Sequence, residues 1–170
     1  MRNKLISMQE AVKKYTWDGM TYAHGGALPV GSDSIAFGRE MVKQGRKDLN
    51  LISNCNTQQS NLLAAVGAVR RIEVGFSGLE VYGFANGLRR AVETGQTILE
   101  DYSNGAIPLR LLGGALNWPF IPATVNIGCD QQWCWADKPD EYPAQNKTPE
   151  IIDPFTGKKC WAFPVIKPDV

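Results

Sequence analysis

Apolar positions in this chain come in short blocks with two different periods. Four compact runs, Met20–Ala23, Leu49–Ile52, Ile72–Val74 and Ile98–Asp101, are too short for helices and read as buried strands. Each leads into small or polar residues: His24-Gly25-Gly26, Ser53-Asn54-Cys55-Asn56, Gly75-Phe76-Ser77-Gly78 and, overlapping the last run, Glu100-Asp101-Tyr102-Ser103-Asn104. A helix-like segment follows each cluster. That alternation predicts an α/β fold with an open, mainly parallel sheet and helices on both faces. In such sheets the carboxyl ends of the strands form the ligand crevice, so the clusters are expected on one rim.

The helices carry their own punctuation. Ser7-Met8-Gln9-Glu10 is a capping box opening a helix that runs to about Tyr15. Asp33 or Ser34 caps the next, which ends near Gln44 with Gly45 in the left-handed position. A third is predicted over Ser60–Val66, with Leu62, Leu63 and Val66 on one face. A fourth covers Ala85–Glu93 and stops at Gly95. Ser103 or Asn104 caps a fifth that runs through Leu116, tolerates Pro108 in its first turn and buries Leu109, Leu112 and Leu116. Gly113-Gly114 costs that helix about 2 kcal/mol relative to two alanines, so it predicts close backbone packing.

Beyond Pro119 the pattern breaks. Pro119, Pro122, Pro139, Pro143, Pro149 and Pro154 and the interleaved Trp133, Trp135 and Tyr142 predict an irregular excursion over about 123–159 within a single domain, 1–170. Regular structure resumes near Cys160–Val165, and the chain stops as though a further strand were about to begin.

Composition narrows the function classes. Hydrophobic residues are 44% and charged residues 21% of 170, which suits one globular domain with a real core. Lys and Arg number 18 against 17 Asp and Glu, so no basic excess points to nucleic acid. Arg70-Arg71 and Arg89-Arg90 read as solvated helix ends or interface residues. No run reaches the roughly 18 apolar residues of a membrane helix, and the N-terminus lacks an apolar signal core. The four cysteines are expected as reduced thiols in the cytoplasm.

Several chemistries fit these residues poorly. His24 is the only histidine, but no Gly-x-Ser-x-Gly elbow accompanies it, which argues against a Ser-His-Asp hydrolase. His24-Gly25-Gly26-Ala27-Leu28-Pro29 lacks the dinucleotide fingerprint. Cys129, Cys134, Cys160 and His24 have metal-ligand chemistry with loose spacing, and no metal is predicted. Trp133, Trp135, Tyr142 and Trp161 suit a subunit interface better than base stacking. Glu80 pairs with Arg89 or Arg90 in the plainest reading, and Glu100-Asp101 forms a charge pair at a helix N-terminus.

Taken in order, several segments resemble the A (alpha) subunit of family I coenzyme A transferases, the glutaconate CoA-transferase type. They are Gly25-Gly26, the stretch Gly45-Arg46-Lys47-Asp48-Leu49-Asn50-Leu51-Ile52, Gly78-Leu79-Glu80-Val81-Tyr82-Gly83 and Leu88-Arg89-Arg90-Ala91-Val92-Glu93. Asp101-Tyr102-Ser103-Asn104, Leu111-Leu112-Gly113-Gly114-Ala115-Leu116, Pro119-Phe120-Ile121-Pro122 and Asp153-Pro154-Phe155-Thr156-Gly157 complete the set. Such A subunits are longer, and the stretch 130–147 has no counterpart among these motifs. The resemblance implies a fold completed by a B-type partner together with a further chain or segment.

It also implies transfer of coenzyme A between an acyl-CoA thioester and a free carboxylic acid. The nucleophilic glutamate, which becomes a glutamyl thioester, is then expected on the partner subunit, with no cofactor beyond the CoA thioester as substrate. This chain would bind substrate and stabilise an oxyanion through Gly25, Gly26, Ser77, Gly78, Glu80, Ser103 and Asn104. From the residues alone, Gly25-Gly26 is equally a tight turn, and Ser103 is first of all a plain cap, a role compatible with facing a ligand. The alternatives are a CoA-thioester hydrolase of the same fold and a non-catalytic pseudo-subunit. Hydrolases of this kind carry an acidic residue before the glycine that is Gly105 here, and Asn104 in that place favours the transferase.

Overall fold

A computed structural model describes residues 5–26, 33–131 and 148–170. Four strands, β1 (Thr21–Ala23), β2 (Leu49–Asn56), β3 (Val69–Ser77) and β4 (Ile98–Asp101), pair side by side in chain order, every pair parallel. The helices are α1 (Met8–Tyr15), α2 (Ile35–Lys43), α3 (Gln58–Ala65), α4 (Asn86–Glu93) and α5 (Ala106–Ala115). Side chains alternate across a strand, so adjacent residues serve opposite layers. Leu51 joins Val12, Met41, Leu63, Ile72 and Leu88 under α1–α4. Its neighbour Ile52 joins Tyr102, Ile107, Ile121 and Phe163 on the other face, under α5. Helices thus cover both faces of an open parallel sheet, as the sequence predicts.

The capping box at α1 is complete: Ser7 Oγ accepts from the Glu10 amide at 3.2 Å, and the Glu10 carboxylate accepts from the Ser7 amide at 2.9 Å. Gly45 and Gly95 take positive φ just past α2 and α4. Gly113 and Gly114 mark close packing. A Cβ on Gly114 would collide with the Ile166 carbonyl, and one on Gly113 would lie 2.7 Å from side-chain atoms of Ile121 and Val165. The last residues lie along β1, with the Ala23 amide donating to the Val170 carbonyl at 2.8 Å and the Thr21 amide to the Asp169 carboxylate at 2.7 Å.

Several expectations change. β2 and β3 run on to Asn56 and Ser77, so the clusters after their apolar runs are strand residues except for Gly78, with Asn56 registered against Ser77. Parallel pairing needs only backbone, and it continues where apolar side chains stop. α3 starts at Gln58 and leaves Val66 exposed. α5 starts at Ala106, and its buried face is Ala106, Ile107, Arg110 and Gly113, while Leu112 and Leu116 face outward. The close approach at the two glycines sets that rotation, overriding the leucine stripe.

Within the stretch expected to be irregular, β6 (Glu150–Ile152) pairs antiparallel with β7 (Lys159–Pro164), which pairs in turn with β5 (Phe120–Ala123). Prolines obscured this second sheet: Pro122 sits in an edge strand and Pro164 ends its strand, positions where the missing donor is tolerated. Trp133, Cys134, Trp135 and Tyr142 lie outside the described residues.

Candidate active site

Because β1–β4 are parallel, the turns that follow them open on one rim. β2 is the centre of that rim, and its last residues connect the two halves. On the β3–β4 side, the Gly78 amide donates to the Asn56 carbonyl at 3.1 Å, extending the β2–β3 ladder by one step. Asn104 lies across the end of β3, and Gly75 makes room for it. A Cβ at Gly75 would lie 2.5 Å from Asn104 Oδ1 and 2.7 Å from its amide nitrogen. That approach carries the Asn104 side chain to β2, where its Oδ1 accepts from Cys55 Sγ at 3.8 Å.

Ser103 behaves as the cap that its position suggests: its Oγ accepts from the Ala106 amide at 3.1 Å. The formal N-cap of α5 is Gly105, one step later than predicted. Capping uses a lone pair of the hydroxyl and leaves its hydrogen to donate. Glu80 stands on a single 3₁₀ turn, Glu80–Tyr82, at φ +50°. Its predicted partner Arg89 pairs with Glu93 on the same helix face at 2.7 Å instead, and Glu80 is exposed. Burial, and then the Glu80 carboxylate, push the Cys55 thiol up, which makes it a poor nucleophile near neutrality.

The β1 side is built differently. The His24 amide donates to the Ile52 carbonyl at 3.1 Å, and its ring stacks on Tyr22 at 5.6 Å between centroids and 18° between planes. His24 Nε2 meets Ser60 Oγ at 2.9 Å, and Ser60 in turn donates to Asn56 Oδ1 at 2.6 Å. Gln59 donates to the Tyr22 hydroxyl at 3.1 Å and accepts from Ser34 at 2.6 Å; Asp33 accepts from Thr57 and from the Gln59 amide at 2.5 and 2.8 Å. Ser34 is the N-cap residue of α2, as predicted, but its hydroxyl serves α3 rather than the first turn of α2. Burial pulls the His24 pKa below the ordinary imidazole value, and the Asp33 charge, the Gly25 backbone and Asn56 offset part of that pull.

In front of this wall stand Gly25 and Gly26. A Cβ on Gly25 would meet nothing within 4 Å, and Gly26 has φ +125°. The positive φ satisfies the turn reading, and the open space leaves the ligand reading intact. The sequence argues against a Ser-His-Asp triad, and the fold brings His24 to Ser60 without an elbow. Ser60 is nevertheless fully buried with its proton committed to Asn56, so it is not an accessible nucleophile.

Behind the β4 side runs a chain of buried charges. Arg110 pairs with Glu73 at 2.6 Å, donates through Nε to the Pro164 carbonyl at 2.8 Å, and lies 3.8 Å over the Tyr102 ring. Arg71 pairs with the fully buried Glu100. Neither member of Arg70-Arg71 is at a helix end, since both belong to β3, and Glu100 is a core ion-pair partner rather than a helix N-terminal charge. Burial pushes Asp101 up, with Gln131 opposing. Tyr102 directly precedes Ser103, so this network places the start of the turn. Cys129 Sγ lies 3.1 Å from the Asn126 carbonyl, and Cys160 is buried in β7.

The structure thus gathers Ser77, Gly78, Glu80 and Asn104 near Cys55, and Gly25-Gly26 before His24 and Ser60. Cys55, Asn56, His24 and Ser60 are the members that sequence reasoning left out of the site. For two of them a signal existed in the polar ending of the β2 run. For Ser60, inside a helix, none did.

A family model described as Coenzyme A transferase matches residues 5–170. The chain belongs to the coenzyme A transferase family. It is 32% identical over 174 residues to an uncharacterized protein of Archaeoglobus fulgidus, covering all of this chain and 36% of that protein. Identity is 28% to the A subunit of 3-oxoadipate CoA-transferase from Pseudomonas knackmussii, over 98% of this chain and 56% of the relative. It is 27% to the A subunit of glutaconate CoA-transferase from Acidaminococcus fermentans, over 99% and 54%. The chain therefore spans little more than half the length of these named subunits.

Among solved structures, the Acidaminococcus fermentans glutaconate coenzyme A-transferase superimposes with a TM-score of 0.83 at 24% identity, over 98% of this chain and 54% of the other. A variant of the decarboxylase AibA/AibB superimposes at 0.77 and 28% identity, over 96% and 58%. Among the described residues no helix is long and apolar enough to cross a membrane.

Proposed function

We propose that this chain is the A-type part of a heteromeric CoA transferase and supplies the anion-binding rim. The observation that carries the reading is the shared rim itself, in a chain of this family. The backbone amides of Gly25 and Gly26 and the polar side chains of Ser77, Ser103 and Asn104 lie at or just past the ends of parallel strands β1, β3 and β4, while the Gly78 amide is held by the Asn56 carbonyl. Amides and hydroxyl hydrogens suit a carboxylate or a developing oxyanion. Two of the strand carboxylates, Glu73 and Glu100, are committed to arginines in the core.

The reaction then takes its nucleophile from a B-type partner. A partner carboxylate adds to the thioester carbonyl and the C–S bond breaks, leaving an anhydride and CoA thiolate. The thiolate attacks the partner's acyl carbon, releasing the first acid and forming an enzyme thioester. A second acid reverses the sequence, and the CoA thiolate ends on the new acyl group. The rim residues hold the carbonyl oxygen through each addition, and Glu80 lies at the margin as a charge that orients an incoming cationic or hydrogen-bond donor group.

The test is CoA exchange between an acyl-CoA and a free carboxylic acid, with this chain mixed with a candidate B partner. Exchange that needs both chains and falls in Ser103→Ala and Asn104→Ala supports the reading. Exchange by this chain alone overturns its assignment as one part of a heteromer. Thioester loss without an acid acceptor assigns a hydrolase, carbon dioxide release a decarboxylase, and a stable but inert complex a pseudo-subunit.

A further inference from the structure

The rim has a rigid wall at one place, behind Gly25-Gly26, and a single side chain connects the wall to the turn. Ser60 has one hydroxyl hydrogen, and at 2.6 Å it goes to Asn56 Oδ1. The 2.9 Å contact to His24 must therefore be made by a hydrogen on Nε2, with Ser60 Oγ as acceptor. One ring nitrogen is thereby assigned as the donor, and Nδ1 is left as the bare acceptor. Among the described residues Nδ1 has no hydrogen-bond partner, nor do Asn56 Nδ2 and Asp33 Oδ1 in the same network. The ring cannot swing: Tyr22 stacks on one side, and Tyr22 is itself stacked on Phe37 and bonded by Gln59. The backbone of the same residue is bonded to β2. A residue pinned at its amide and at its ring fixes the peptide plane that leads into Gly25.

We infer that His24, locked as its Nε2–H tautomer by Ser60, is a positioning residue that aims the Gly25 and Gly26 amides at the carboxylate end of the substrate. The inference rests on the anion-binding role proposed for that turn. Two flexible glycines hold many orientations, and only those with both amides forward bind an anion well. Anchoring the preceding residue removes most of the others before substrate arrives. Asp33 is the charged group facing His24 from the segment just before α2, Tyr22 the titratable one from β1, and α3 and β2 present only neutral polar groups, Ser60, Gln59 and Asn56.

His24 is the chain's only histidine, so one labelled imidazole reads the lock directly. Imidazole ¹⁵N spectra of the full chain are expected to show protonated Nε2 and bare Nδ1, persisting below the pH at which a free imidazole becomes charged. Acetate, as a probe, is expected to shift the Gly25 and Gly26 amide resonances, with affinity about tenfold weaker in Ser60→Ala, the loss of one aimed hydrogen bond. His24→Gln, which retains an N–H donor, is expected to bind better than His24→Leu. Ser60→Ala keeps the ring and the fold's volume, so it remains informative if His24→Leu fails to fold. A ring with mixed tautomers, or acetate affinity unchanged in Ser60→Ala, overturns the inference. CoA exchange by the unaltered complex with an unlocked ring leaves the transferase reading standing; a locked, acetate-binding turn in a complex without exchange refutes the transferase reading alone.

Discussion

The two faces of the parallel sheet hold the same rim by different physics. Under α1–α4 the support is apolar, with Leu51, Leu63 and Ile72 in one continuous core, capped near the rim by hydrogen bonds around His24 and Asp33. Under α5 the support is ionic, with Arg110 and Glu73, Arg71 and Glu100 buried around Tyr102. Apolar packing is the more forgiving of the two, because neighbours relax part-way into the space a lost side chain leaves. A buried ion pair is not, since removing one partner strands the other charge in a medium that cannot solvate it. The Gly25-Gly26 half of the rim should therefore tolerate substitutions behind it better than the Ser103-Asn104 half.

That contrast can be broken at several points. The largest effect is expected from Arg110→Ala, which leaves Glu73 uncompensated and uncovers Tyr102; a loss of about 3–5 kcal/mol should appear in denaturant unfolding. On the other face, Leu63→Ala opens a cavity in a fully buried site and should cost about 2–5 kcal/mol, with the outcome set by how far α3 settles. If both cost the same and both displace Asn104 in amide spectra, the two faces are not distinct.

The titrating groups sharpen the comparison, because each face has its own. Burial pushes Tyr102 up to about 12, against the charge of Arg110, from an ordinary value of 10. The unfolded phenol ionises first, so this contribution is intact below pH 10. As pH rises from 10 to about 12, about 2–3 kcal/mol should be lost. Tyr102→Phe should remove that alkaline slope in pH-dependent melting. On the opposite face His24 has its pKa lowered by burial. Here the unfolded chain binds the proton first. Stability is therefore full above about pH 6.5, the ordinary imidazole value, and declines on acidification below it. His24→Gln should flatten the acid limb and leave the alkaline one untouched, the smallest effect of the four.

Much of the architecture was legible because its signals are local. The capping box at Ser7, the glycines after α2 and α4, and the alternation of strand and helix each act over a few neighbouring residues. The misreadings have a common cause as well. β2 and β3 looked short because apolar side chains stop at Ile52 and Val74, while the backbone ladder continues. The leucines of α5 looked like a core stripe, yet Gly113 and Gly114 let the helix approach from another side and bury Arg110 instead.

The family resemblance located the rim residues in order along the chain, and the parallel sheet puts the turns carrying them on one side. Neither could say what stands behind them. His24 and Ser60 are 36 positions apart, Arg71 and Glu100 29, and Arg110 and Glu73 37. Polar residues at such separations leave no periodicity or spacing to read, because their pairing depends on register and helix rotation. What the sequence alone determined was the order of elements and the polar ending of each strand, through short-range propensity and side-chain alternation. Which polar groups meet in the interior, and so which half of the rim is rigid and which is charged, was decided only when the chain closed on itself. Burial there makes an unpaired polar atom costly, which favours the packing in which most of them meet a partner.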